Sequence, residues 1–134
     1  LSRLVYADTS ALAKLLAEEA ETLALRSWIA GIEDLVMVSS DLVRTELMRA
    51  IRKAHPAAAP SVRALLTTLV LVPISTDICD SAARLEPPTL RSLDAIHLAT
   101  ALVAGEDLEA MLTYDDRLAE ASSRYGLKVV APSA

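Results

Sequence analysis

Four acidic residues, Asp8, Glu46, Asp94 and Asp115, lie far apart along the chain but are of a type that does chemistry when gathered. Asp8 follows the apolar run Leu4-Val5-Tyr6-Ala7, and Asp115 follows Met111-Leu112-Thr113-Tyr114. Both read as carboxylates at the C-terminal end of a buried strand. Asp94 opens the helical stretch Asp94-Ala95-Ile96-His97-Leu98-Ala99-Thr100-Ala101, and Glu46 lies within another, Leu42 to Ala54. Carboxylates that converge at the strand C-termini of a parallel sheet occupy the place where such folds bind ligands. A cluster of this kind repels itself unless positive charge sits in its middle. The economical source is a divalent metal held by oxygens.

Each acid also has a plainer reading. Asp8 and Asp115 could be helix N-caps, since a side-chain oxygen satisfies a free amide of the first turn. Asp94 could do no more than complement a helix macrodipole. Glu46 could be a solvated glutamate paired with Arg49 or Arg52. The case for chemistry therefore rests on convergence, and convergence depends on the elements between the acids.

Short β-rich runs alternate with longer helical ones, the pattern of a parallel α/β sheet. The expected strands are Leu4 to Ala7, Val36 to Ser39, Val70 to Val72, Met111 to Thr113 and Val129-Val130. They show little polar alternation, as strands covered on both faces should. Ala11, Leu12, Leu15 and Leu16 form one helical stripe, and Leu23, Leu25, Trp28, Ile29 and Ile32 form another. Gly31, Gly105 and Gly126 fall just after helical stretches, where left-handed C-caps are expected. Ser40 or Asp41 is expected to cap the Glu46 helix, and Pro60-Ser61 to open a helix ending near Leu69. Pro87-Pro88 separates a helix starting near Thr76 from the Asp94 helix. Right-handed crossovers with the first strand central give the order 3-2-1-4-5. Asp8 and Asp115 then meet at the switch point between strands 1 and 4.

The 134 residues contain no repeat, low-complexity tract or linker, so one domain over 1–134 is expected, large enough to hold a core without staples. The single Cys79 excludes an internal disulfide and fits a reducing cytoplasm; with two scattered histidines it supplies no zinc ligand set. No apolar run is long enough for a membrane span and no secretory signal is visible, so a cytoplasmic location without membrane contact is expected. The net charge of −5 argues against a broad electrostatic grip on nucleic acid. Yet several of those charges belong to the proposed site, and Arg44, Arg49, Arg52 and Lys53 gather around Glu46, so local charge matters more than the total.

Asp8-Thr9-Ser10-Ala11-Leu12, Arg44-Thr45-Glu46-Leu47, Leu93-Asp94-Ala95-Ile96-His97-Leu98-Ala99-Thr100-Ala101 and Thr113-Tyr114-Asp115 together resemble a PIN domain, with the VapC-type ribonuclease toxins of bacterial toxin–antitoxin pairs as the nearest match. The resemblance runs from about residue 4 to 130. It implies a three-layer fold and a Mg²⁺- or Mn²⁺-dependent endoribonuclease that cleaves RNA with a metal-activated water. It also implies a cognate VapB-type antitoxin as partner, in a homodimer or a toxin–antitoxin hetero-oligomer. Asp8, Glu46, Asp94 and Asp115 match the acidic quartet, and Ser10 and Thr113 match supporting hydroxyl positions. Asp116 is a further acid beside Asp115, although the Thr-x-Asp spacing favours Asp115. On this reading Asp8 and Asp94 are the principal metal ligands, Asp115 completes the set directly or through water, and Glu46 orients or activates the attacking water. Single-stranded or loop RNA is the expected substrate, because unpaired bases are accessible.

Arg44, Arg49 and Arg117 are candidates for steering RNA phosphates, and Tyr114 for stacking on a base. His97 lies three residues after Asp94 and could serve as a base, against the simpler reading of a packed helix histidine. Cys79 reads as a core or boundary residue. A receiver domain would need a phosphoacceptor after strand 3, where Val72-Pro73-Ile74 stands, and a dehalogenase-like phosphatase would need Asp-x-Asp where Asp8-Thr9-Ser10 stands. The remaining alternatives are a PIN fold that binds RNA or protein without cutting, and a PIN nuclease of RNA maturation or decay.

Overall fold

The computed structural model describes residues 2–133. Five strands, β1 (Arg3–Ala7), β2 (Leu35–Ser40), β3 (Val70–Val72), β4 (Leu108–Leu112) and β5 (Val129–Val130), form one parallel sheet in the order β3-β2-β1-β4-β5. The expected order is the one observed. Seven α-helices connect and cover it: α1 (Thr9–Leu16), α2 (Thr22–Ala30), α3 (Val43–Ala54), α4 (Val62–Leu66), α5 (Thr76–Ala83), α6 (Ser92–Ala104) and α7 (Asp116–Arg124).

Strand alternation assigns the two faces. Val5 and Ala7 of β1 join Ala110 and Leu112 of β4 in a core with Leu12, Leu25, Leu47 and Ile51, so α1, α2 and α3 cover that side. Tyr6 and Met111 point the other way and pack with Leu98, Ala101 and Leu118 of α6 and α7. Burial on both faces explains why the central strands carry almost no exposed positions.

Several boundaries differ from expectation for identifiable reasons. β4 begins at Leu108 and ends at Leu112, so Thr113 lies one residue beyond the strand. Its early half was obscured by Glu109, which pairs with Arg3 at 2.6 Å. Neither Ser40 nor Asp41 caps α3: Ser40 ends β2, its Oγ accepting from Leu42 N, and Asp41 holds the Arg44 guanidinium. Pro60-Ser61 closes a tight turn over Pro56–Ser61, and α4 stops at Leu66. Gly105 and Gly126 have positive φ, whereas Gly31 stays right-handed at φ −79°. Cys79 is exposed, because α5 turns Ile78 and Ala82 inward. No helix among the described residues is long and apolar enough to cross a membrane.

Candidate active site

The register of β1 on β4 sets the centre of the site. Ala7 pairs with Leu112, so the next residues, Asp8 and Thr113, emerge side by side from the C-terminal edge of the sheet. Asp8 N donates to Leu112 O, and the Thr113 hydroxyl donates to Asp8 Oδ2 at 2.6 Å. Ser10 Oγ and Ala11 N donate to Oδ1 at 2.7 and 3.1 Å. Asp8 is thus both the N-cap of α1 and the most constrained acid of the site, only 3% exposed. Burial pushes its carboxyl pKa up, and Ser10, Thr113 and the Ala11 amide pull it part of the way back.

The supporting hydroxyls have a second task. Each carries one proton and gives it to Asp8, so each can only accept from elsewhere. Ser10 Oγ accepts from Tyr114 N at 2.9 Å, and Thr113 Oγ1 accepts from Asp115 N at 3.1 Å. The loop carrying Asp115 is therefore tied to Asp8 through two hydroxyls. Asp115 in turn caps α7, its Oδ1 accepting from Leu118 N at 2.9 Å. Asp116 is the first residue of that helix and faces solvent.

Glu46, in the first turn of α3, is held at one oxygen only. Its Oε1 accepts from Thr9 Oγ1 at 2.8 Å and lies 2.7 Å from His97 Nε2. Oε2 takes no hydrogen bond from the described residues. Burial would raise the Glu46 pKa, but the hydrogen bond from His97, with that from Thr9 behind it, outweighs burial and leaves it lowered. Asp94, in the first turn of α6, is half-buried and takes no side-chain hydrogen bond from the described residues. Its pKa is raised by burial first and then by Asp115, with Asp8 and Glu46 adding to the push against an opposing effect of His97. Asp94 therefore experiences the other three acids as neighbours.

The donor set is all oxygen and electrostatically unfavourable on its own, which suits Mg²⁺ or Mn²⁺. Among the described residues, no three His, Cys, Asp or Glu side chains stand together as a ready-made ligand group. Mg²⁺ keeps several waters and binds through one or two carboxylates, so a closed protein cage is not what such an ion needs. The Asp94 carboxylate accepts no hydrogen bond from the described residues, and Asp115 Oδ2 and Glu46 Oε2 are likewise free among them.

The basic and aromatic candidates are more dispersed. Arg44 pairs with Asp41, Arg49 is exposed, and Arg117 lines a groove of about 460 Å³ with Thr89, Glu120 and Arg124. Tyr114 donates to Pro132 O, and Lys14 Nζ sits 4.8 Å from its ring centroid, so one ring face is taken. Three residues that hold Glu46 were not singled out for that task by the sequence: Thr9, His97 and, behind His97, Tyr6. Their contacts join residues 37 to 91 positions apart, beyond the reach of local patterns.

Known proteins resemble this chain in sequence and fold. The family model described as the PIN domain matches residues 5–123. Ribonuclease VapC35 of Mycobacterium tuberculosis is 45% identical over 131 residues, covering 96% of this chain and 97% of the relative. Among solved structures, the sarcin-ricin loop cleaving toxin VapC20 of M. tuberculosis superposes with a TM-score of 0.72 at 22% identity, covering 96% of this chain and 99% of that one. A toxin–antitoxin complex from Klebsiella pneumoniae gives a TM-score of 0.68 at 25% identity, covering 96% and 97%. With the acids placed at the sheet edge and the family model spanning most of the chain, the protein belongs to the PIN-domain family.

Proposed function

We propose that this chain is a metal-dependent endoribonuclease, a toxin of the VapC type that is restrained by a cognate antitoxin. The observation that carries the reading is the fixed Asp8 carboxylate at the β1–β4 switch point, with Asp94, Asp115 and Glu46 acting on one another around it. The near-full-length identity to a protein named as a ribonuclease supports the choice of RNA.

Asp8, Asp94 and Asp115 would hold Mg²⁺ or Mn²⁺. Such an ion, when bound, offsets phosphate charge and makes water a better nucleophile near neutral pH. The protein's own contribution is positional. Asp8 is locked by three donors, and Asp115 is anchored to the same frame through the loop amides. Glu46 has one oxygen fixed and the other available to take a proton from, or orient, an attacking water. Single-stranded or loop RNA is the proposed substrate, and Arg117, two residues after Asp115 and exposed, would meet its phosphates.

The antitoxin has two surfaces to use. An arginine could enter among the carboxylates, where its planar fork pairs with them bidentately. An apolar depression of about 340 Å³ between Leu15, Ile29, Leu35, Met37 and Leu65 could take hydrophobic side chains of the same partner. The test is cleavage of structured and unstructured RNA by antitoxin-free protein with Mg²⁺ or Mn²⁺, with EDTA, and beside Asp94→Asn. Metal-dependent cleavage lost in the variant is expected. A folded protein that neither cuts RNA nor binds metal would instead be a binding module.

A further inference from the structure

We infer that Tyr6 and His97 form a buried positioning relay whose purpose is to aim the Glu46 carboxylate. The kinetic consequence rests on the proposed nuclease chemistry; the hydrogen-bond chain does not.

The relay runs from the sheet to the site. The Tyr6 hydroxyl lies 2.7 Å from His97 Nδ1, and His97 Nε2 lies 2.7 Å from Glu46 Oε1. Tyr6 is 0% and His97 2% exposed, and their rings meet edge to face with centroids 5.8 Å apart. Each member comes from a different element: β1, α6 and α3. The chain therefore ties the strand that carries Asp8 and the helix that carries Asp94 to the helix that carries Glu46.

Proton inventory gives the relay a direction. A carboxylate only accepts, so His97 must carry its proton on Nε2 to bond Glu46. In a neutral imidazole Nδ1 is then a bare acceptor, and Tyr6 must donate to it. Burial raises the Tyr6 pKa well above its ordinary value, so the phenol keeps the proton it has to give. Glu46 and Tyr6 thus favour the same tautomer from opposite ring nitrogens, a way of fixing a histidine known from other functional sites.

A histidine that merely filled the core would not need to end on a partly exposed carboxylate. Glu46 shows the result of the arrangement: two donors, His97 and Thr9, converge on Oε1, which pins the carboxyl plane and leaves Oε2 without a hydrogen bond from the described residues. Without His97, Thr9 alone would hold a side chain with three rotatable bonds. His97 is thus a positioning residue acting through Glu46.

The experiment compares His97→Leu, His97→Gln and Tyr6→Phe, each with its melting curve, in steady-state RNA cleavage. Nitrogen NMR of the histidine ring is recorded on the same metal-free proteins. His97→Leu is expected to lower kcat by about 10–100-fold, the usual range for loss of an orienting partner, with KM for RNA unchanged. His97→Gln, which keeps a donor toward Oε1, should recover most of the loss, and Tyr6→Phe should give a smaller fall in kcat. In wild type the ring proton should reside on Nε2 and the Nδ1 resonance should show an accepted hydrogen bond; in Tyr6→Phe the proton should stay on Nε2, where Glu46 accepts it, while the Nδ1 resonance moves to that of a free acceptor nitrogen. A folded His97→Leu protein with wild-type kcat, a glutamine variant as impaired as the leucine one, or a wild-type proton on Nδ1 would each overturn the relay. If wild type cuts no RNA, the nuclease reading fails, and the NMR result alone decides the relay.

Discussion

The hydroxyl of Thr113 donates to Asp8 Oδ2 at 2.6 Å while accepting from the amide of Asp115, so one side chain links two of the four acids. Thr113 is 1% exposed and Asp8 3%. Removing the hydroxyl leaves a buried carboxylate oxygen and a loop amide short of partners.

Thr113→Val keeps the shape and deletes the donor. The expected cost is about 1–3 kcal/mol of folding stability, the usual penalty for a buried polar group left unpaired. Cleavage should fall as well, because the Asp115 loop loses its tie to Asp8. Ser10→Ala should be milder, since Oδ1 keeps the Ala11 amide. Urea titrations of both variants check the ranking; equal stability for Thr113→Val and wild type would remove Thr113 from this role.

Asp94 is a cost that the metal-free fold bears. Its pKa is raised above 3.8 in the folded protein by burial and then by Asp115. A raised folded pKa contributes stability that is complete below the unfolded value and is lost as pH rises through the folded one. Asp94→Asn should therefore melt higher than wild type at pH 7.5 in EDTA, and the difference should vanish near pH 3. Its half-exposed position keeps the gain to about 1 kcal/mol or less. Saturating Mg²⁺ should narrow or reverse the ranking, since ligand binding to the native state stabilises it. A variant less stable than wild type in EDTA at pH 7.5 would contradict the picture.

Much of this was legible in the sequence because each acid follows a recognisable local signal. Asp8 and Asp115 stand behind apolar runs, and Asp94 begins an apolar helix, so alternation of elements was enough to bring them to one edge. The plainer reading of two of them as N-caps is also true: Asp8 and Asp115 cap α1 and α7. What the sequence did not display was the support for Glu46. Tyr6 looks like one more strand residue, and His97 like a polar interruption of an apolar helix. Only the sheet-to-helix packing, across 91 residues, makes them partners. The first half of β4 was missed for the opposite reason: Glu109 and Ala110 are poor strand formers, and the pairing with β1 overrides their propensity.

Glu46→Gln should cost about 10²-fold or more in kcat if the free oxygen handles the proton of the attacking water. Its pH signature has the opposite sign to that of Asp94. The Glu46 pKa is lowered in the fold despite burial, because His97 and then Thr9 favour the carboxylate. A lowered folded pKa contributes stability present above the unfolded value and lost as pH falls through the folded one. Wild type should exceed Glu46→Gln in stability at neutral pH, with the margin closing below about pH 4.5. Melting curves across pH 3–8 measure this; a margin independent of pH would mean that the charge on Glu46 is not what His97 and Thr9 recognise.

Asp115 combines two roles that substitution can separate. As N-cap it gives Oδ1 to the Leu118 amide at 2.9 Å. Asparagine retains a capping oxygen, whereas alanine does not. Asp115→Ala should lose about 1 kcal/mol of stability together with activity, while Asp115→Asn should keep most of the stability and still lose activity. Asp116→Asn, at an exposed position one residue into α7, is expected to change neither much. The comparison is read from paired melting and cleavage data on the three proteins. If Asp115→Asn cuts RNA as well as wild type, Asp115 serves only as a cap, and Asp94 and Glu46 supply the remaining negative charge around Asp8.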